Sequence, residues 1–212
     1  MKTSSMNQVF PDNNPLEGLL YGATVYLTPA CEADRELMRP LARDERLWEF
    51  TKTLLINDTY DQQFDLYFDE ALRLPALAGR AFIIHSKNDA SIIGMTRLFN
   101  VEWKDKRLEI GHTWYIPSVW GKIYNKECKL LLLQYIFEQL KFYRVEFRVA
   151  HQNIRSQKAV EKIGGVKEGI LRKHSIRNDG SRRDTVVFSI IDDEWPEKKE
   201  RLYNLLRIHQ SV

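Results

Sequence analysis

Apolar residues recur along this chain in two rhythms. From Glu32 to Leu74 they return at every third or fourth position (Leu37, Leu41, Leu47, Phe50, Leu54, Phe64, Tyr67, Phe68, Ala71, Leu72), the period of helices buried on one face. Pro40 and the polar run 57–61 divide that segment into two or three helices. The rhythm shortens to the strand period at Ala23–Ala30, Gly79–Ser86, Ala90–Trp103 and Arg107–Ile116, the last three forming an antiparallel meander with a turn at 87–89. Asn125–Leu140 sets Leu130, Leu133, Phe137 and Leu140 on one stripe, with Asn125 as its N-cap.

A strand at Tyr143–Ala150 follows, then a short helix from Asn153 ending on the Gly164–Gly165 pair, where a left-handed C-cap fits. Strands at Lys167–Arg177 and Arg182–Asp192 are joined by a tight reversal at 178–181, and Glu194–Gln210 closes the chain as a helix. Residues 1–20 show little periodicity and read as an arm, 21–195 as the domain, and 196–212 as a helix packed on or appended to it. The order predicts an α+β fold in which helices cover one sheet of about six to seven strands, mixed but mostly antiparallel.

Composition narrows the class. The 212 residues hold enough apolar and aromatic side chains for a buried core, and 32 basic against 29 acidic residues leave a net charge of only +3. That balance argues against nucleic acid or an anionic membrane as partner, and no apolar run has transmembrane length. Cys31 and Cys128 lack the spacing of a redox pair or metal site, and His112, His151 and His174 form no ligand set, so no metal is expected and a cytoplasmic setting fits.

One junction carries chemistry. The strand ending at Pro117 runs through Gly121 and Lys122 into the helix after Tyr124. A strand-to-helix turn aims backbone N–H groups and the helix dipole at one point, a glycine lets the backbone approach an anion, and a lysine adds a charge. Gly121 as a plain turn residue beside a solvated Lys122 explains the same pattern.

The wider context separates these readings. Glu109-Ile110-Gly111, Trp120-Gly121, "NKECKLL", "NIRSQKAVEKIGG" and "KEG" occur in the order seen in the GCN5-related N-acetyltransferase (GNAT) superfamily, and most closely in its ribosomal-protein N-terminal acetyltransferase-like branch. The resemblance spans about Ala23 to Trp195. It implies a GNAT fold in which the turn cradles the pyrophosphate of acetyl-coenzyme A and an Asn opening the next helix, here Asn153, holds the pantetheine arm. The implied cofactor-binding set is Tyr115, Ile116, Gly121, Lys122, Ile123, Tyr124 and Asn125 on the turn, with Asn153 and Ser156 on the next helix. Lys158 and Lys162, one helix turn apart near Arg155, are in reach of coenzyme phosphates or simply solvated.

Two positions depart from the motif. Ser118 stands where Gln or Arg is usual and Ile123 where Gly or Ala is usual, and a β-branched residue resists positive φ, so Ile123 is expected to narrow the cradle.

Acetyl transfer needs a base for the amine, a donor to the carbonyl oxygen and a proton for the leaving thiolate. Glu109 is the candidate base, or else an outward residue paired with Arg107 or another neighbouring cation. Ser156 is the candidate acid, or a first-turn hydroxyl satisfying the backbone; Tyr115 is the alternative acid. The family implies that the strands separate around Tyr115 and Val149, where a backbone N–H binds the oxygen. The segment 32–74 and the hairpin 174–184 flank the expected amine entrance. Asp58, Asp61, Asp65, Asp69 and Glu70 there attract a cationic amine, or are a solvated face.

The expected partner is an amine-bearing small molecule or a protein N-terminus, and the assembly a monomer or homodimer. A degenerate acetyltransferase-fold protein that binds acyl-coenzyme A or a partner without turnover stands as the alternative.

Overall fold

The computed structural model describes residues 18–53, 55 and 57–210, which leaves the arm and Leu54 almost wholly outside the described residues. Eight strands form one sheet: β1 (Leu20–Tyr21), β2 (Val25–Pro29), β3 (Arg80–Ser86), β4 (Ile92–Glu102), β5 (Arg107–Tyr115), β6 (Arg144–Ala150), β7 (Val166–Ile176) and β8 (Arg182–Ile191), in the order β1-β2-β3-β4-β5-β6-β8-β7. The two-residue β1 is the strand that periodicity cannot reveal. Among the described residues only β5 and β6 run parallel; every other neighbouring pair is antiparallel.

The helices are α1 (Arg35–Leu41), α2 (Tyr60–Arg73), α3 (Tyr124–Gln134), α4 (Ile154–Lys162) and α5 (Trp195–Gln210). Strand alternation feeds two cores. Phe82 and Ile84 of β3, with Leu108 and Ile110 of β5, pack under α3 and α5, whereas Ala81 and Ile83, with Met95 and Trp114, pack under α1 and α2. Leu202 and Leu206 of α5 belong to the first core, so this helix lies against the sheet layer. Among the described residues no helix is long and apolar enough to cross a membrane.

Three details correct the sequence reading. Helix α3 begins at Tyr124 with Ile123 in the cap position and no side-chain cap, so Asn125 is not the N-cap. The helical run to Leu140 finishes as a π-turn over Tyr135–Gln139. Pro40 does not separate two helices; it sits in the last turn of α1, which stops one residue later.

The acidic face of α2 is already paired. Arg35, Arg39 and Arg43 of the α1 segment lie 5.0, 4.9 and 4.5 Å over the rings of Phe68, Phe64 and Tyr60. The same guanidinium groups meet Asp69 and Asp65 at 2.6 Å and Asp61 at 2.8 Å. One arginine per helix turn thus covers one aromatic and one acid.

Candidate active site

The strand-to-helix turn is built from backbone. After β5 the chain makes a single 3-10 turn at Pro117–Val119, held because the Trp120 indole Nε1 donates to the Tyr115 carbonyl at 2.6 Å. Gly121 then adopts φ +76°. A Cβ there would meet nothing within 4 Å, so glycine is required by conformation, not by space.

The Lys122 amide bonds to Val119 O, and those of Lys126 and Glu127 bond to Ile123 O. The amides of Gly121, Ile123, Tyr124 and Asn125 have no acceptor among the described residues. Four N–H groups at the start of an eleven-residue helix make an anion cradle. The buried Asn125 Oδ1 is also without a partner, and as an acceptor it calls for a donor rather than an anion. Ile123 has φ −67°, ordinary right-handed backbone, so its branched side chain meets no conformational penalty and the expected narrowing from positive φ does not arise.

Two contacts fix the cradle in the fold. The Glu127 carboxylate caps the start of β2, accepting from the amides of Thr24 at 2.8 Å and Val25 at 3.1 Å. The Arg155 guanidinium lies 4.1 Å from the Trp120 ring centre, tying the first turn of α4 to the cradle. On α4, Asn153 is the N-cap and accepts from Ser156 N at 3.0 Å. The Ser156 amide is therefore satisfied, and its hydroxyl has no partner among the described residues. Lys158 is exposed and bonded to nothing described, whereas the exposed Lys162 stands near enough to depress the Lys126 pKa, an effect secondary to that lysine's burial.

Between these elements the sheet opens. Parallel pairing of β5 with β6 covers only Arg107–Arg144, Leu108–Val145 and Glu109–Glu146, although β5 continues to Tyr115 and β6 to Ala150. Glu109 is the last paired residue before the strands separate. The residue is 6% exposed; Oε2 accepts from Asn100 Nδ2 at 3.0 Å and lies 3.4 Å from Arg148 Nε. The partner is Arg148 and not Arg107, which instead lies 3.9 Å from Glu102. Burial pushes the Glu109 pKa up to about 6, against the opposing pull of Arg148 and Asn100.

Beyond Glu109 a β-bulge places His112 at φ +47°. Its imidazole keeps exposed surface, yet crowding and the charges of Arg97, Lys52 and Arg183 push its pKa down, so it is neutral near pH 7.

Tyr115 points the other way, into the core under α3, where its hydroxyl lies against the Cys128 thiol without an ordinary hydrogen bond and burial raises its pKa. Beneath the separation lies a lysine that the apolar stripe of α3 does not single out. Lys129 of α3 is 5% exposed. Its Nζ donates to Thr113 of β5 at 2.9 Å and Thr96 of β4 at 3.5 Å, and no described carboxylate pairs with it. Burial lowers its pKa to about 8.

The opposite wall is the β7–β8 hairpin docked on the loop 48–53. Arg177 Nε donates to Thr51 O at 3.1 Å, Asn178 N to Lys52 O at 3.1 Å and Arg183 Nη1 to Phe50 O at 3.2 Å. Alternation alone would have put Arg148 beside Glu146 on one face; nothing in the sequence pairs Arg148 with Glu109 or seats Asn100 on it.

Known proteins agree with this architecture. A family model described as an acetyltransferase (GNAT) domain matches residues 24–166. "Putative ribosomal N-acetyltransferase YdaF" of Bacillus subtilis is 34% identical over 112 residues, 52% of this chain and 60% of that protein, so the chain spans less than two thirds of this relative. The crystal structure of a "putative acetyltransferase" from T. thermophilus superposes with a TM-score of 0.79 at 31% identity, covering 93% of this chain and 98% of the other. Mycobacterium smegmatis RimJ, solved with CoA-disulfide, shares the fold with a TM-score of 0.74 at 22% identity over 89% of this chain and 93% of that one. With the family model spanning most of the domain, the strand separation, the helix-capped turn and the element order have one name: the chain belongs to the GNAT acetyltransferase family.

Proposed function

We propose that this protein transfers an acetyl group from acetyl-coenzyme A to a primary amine, directly and within a ternary complex. The observation that carries the reading is Glu109, a buried carboxylate at the point where β5 and β6 part, opposite a cradle of four unpaired backbone N–H groups.

The co-substrate supplies the acetyl group as an activated thioester. Gly121, Ile123, Tyr124 and Asn125 offer their amides to the pyrophosphate, and Lys122, exposed at the rim, adds charge. Tyr115 and Ile116 line the strand edge along which the pantetheine arm runs toward Asn153, with Lys158 and Lys162 on the phosphate side. Glu109 takes the proton of the attacking ammonium. The nitrogen lone pair forms the amide bond as the carbon–sulfur bond breaks, and the second proton that this nitrogen loses reaches the thiolate through the Ser156 hydroxyl, which gives one proton and takes up another. Ser156 suits this better than Tyr115, because its hydroxyl is half-exposed and unbonded while the Tyr115 hydroxyl is sealed under α3. The strand separation leaves Glu109 in reach of an amine entering from the α1–α2 side, so no covalent acyl-enzyme is needed.

Coenzyme A release measured with acetyl-coenzyme A across amine classes tests the reading. Amine-dependent release is expected, with kcat reduced in Ser156→Ala and cofactor affinity retained. Tight acetyl-coenzyme A binding without turnover on any amine would favour the non-catalytic alternative.

A further inference from the structure

The floor of the opening holds a charge that the fold does not need for its stability. Lys129 is 5% exposed, and its only described hydrogen-bond partners are hydroxyls: Nζ donates to Thr113 Oγ1 at 2.9 Å and to Thr96 Oγ1 at 3.5 Å. The single acid of α3, Glu127, is spent on the start of β2, where it accepts from Thr24 N at 2.8 Å and Val25 N at 3.1 Å. A buried ammonium without a carboxylate costs more than an apolar side chain of similar length. Its presence calls for an account of what it holds.

It holds the β5 bulge. The pairs Arg97–Gly111 and Met95–Trp114 leave His112 and Thr113 of β5 opposite Thr96 alone on β4. The Thr96 and Thr113 hydroxyls lie 2.7 Å apart and Thr113 Oγ1 lies 3.4 Å from Gly111 O, so one polar cluster spans the irregular stretch. Hydroxyls swivel and exchange donor for acceptor; an ammonium that donates to both fixes them. The same Nζ lies 6.0 Å from the ring centre of Phe147, the β6 residue that follows Glu146, where pairing with β5 ends. Lys129 thus stands between the two strands just where they part. Beyond the bulge β5 leads through Tyr115 into the cradle turn.

We propose that Lys129 is a positioning residue for acetyl transfer: by donating to Thr113 and Thr96 it locks the β5 bulge, and with it the free strand edge along which the thioester lies, in one geometry. This rests on the acetyl-transfer reading of the cleft and adds to it a residue on the other face of the sheet from the base, since Leu108 and Ile110 face α3 and Glu109 alternates between them. Transfer depends on holding the reacting atoms to within a fraction of an ångström, so a bulge free to shift lowers the rate. Affinity depends mainly on the cradle, whose amides belong to other residues, so binding of the coenzyme is spared.

Lys129→Met, which keeps the length and removes the donors, tests it, with whichever of a peptide bearing a free N-terminus, a polyamine or an amino sugar the parent acetylates fastest. The kcat should fall about tenfold or more, the Kd for acetyl-coenzyme A should move less than about threefold, and the melting temperature should rise. Thr113→Val should lose rate to a similar extent and Thr113→Ser should keep most of it. The double variant Lys129→Met with Thr113→Val should be no slower than the worse single one, because both cut the same tie. An unchanged kcat in Lys129→Met, a loss of rate accompanied by a lower melting temperature, or losses that multiply in the double variant would overturn the proposal. Amide hydrogen exchange over residues 111–115 gives a readout without turnover and should be faster in Lys129→Met than in the parent. Failure of the parent to acetylate any amine would refute the acetyl-transfer reading instead, and equal exchange in the two proteins would still refute the lock on the bulge.

Discussion

The two halves of the cleft are made of different material. On the coenzyme side the working groups are backbone amides, fixed by one left-handed glycine, one indole bond and the start of α3. On the acceptor side they are side chains, with Glu109 hydrogen-bonded to Asn100 and ion-paired with Arg148 across three strands. A backbone site tolerates changes of side chain provided φ is respected. Ile123 and Ser118 can therefore depart from the family motif without dismantling the cradle. A side-chain site has no such tolerance, and differences in acceptor belong there.

Substitutions can break this contrast. The largest effect is expected for Glu109→Gln, which keeps the shape and the Asn100 contact but removes the base. Turnover should fall on the order of 10²-fold or more while acetyl-coenzyme A affinity is retained, read by steady-state kinetics beside a binding titration. Next, Gly121→Ala puts a Cβ on left-handed backbone at a strain of roughly 1–2 kcal/mol. Part of that strain is relieved by deforming the cradle, so the Kd for acetyl-coenzyme A should rise about tenfold.

Lys129→Met tests the floor of the opening and should raise stability. A lysine pKa lowered in the folded state opposes folding below about pH 8, and the penalty fades as pH rises toward the unfolded value. Thermal unfolding should show the gain, about 1 kcal/mol, near pH 7 and less of it near pH 10. The smallest effect belongs to Ile123→Gly, which should change acetyl-coenzyme A affinity less than about threefold, because the position needs no positive φ. A large gain there would mean that the side chain does obstruct the cradle.

Much of this was legible in the sequence because it depends on local periodicity. The β3–β4–β5 meander, the α3 stripe and the left-handed Gly164 at φ +98° follow from alternation, spacing and the Gly pair. The Gly121 turn stood out for the same local reason. What the sequence hid depends on residues far apart in the chain. Asn100, Glu109 and Arg148 meet only after β4, β5 and β6 align, and Arg183 meets Phe50 O only when its hairpin docks on residues 48–53. The cap of α3 was misplaced at Asn125 because an Asn before an apolar run is an ordinary cap signal. The helix is instead anchored by Glu127 reaching back to the start of β2, a contact with no sequence signature.

The most direct measurement is kcat/KM for an accepted amine against pH, at saturating acetyl-coenzyme A, in the parent and in Glu109→Gln. Burial holds the Glu109 carboxyl up at about 6, so the base is ionised only above that value, and the parent's rate should rise through pH 6 on that acid limb and then level. The variant should be slow throughout and lack the limb. Equal turnover in the two proteins, with the same limb in both, would contradict Glu109 as the base.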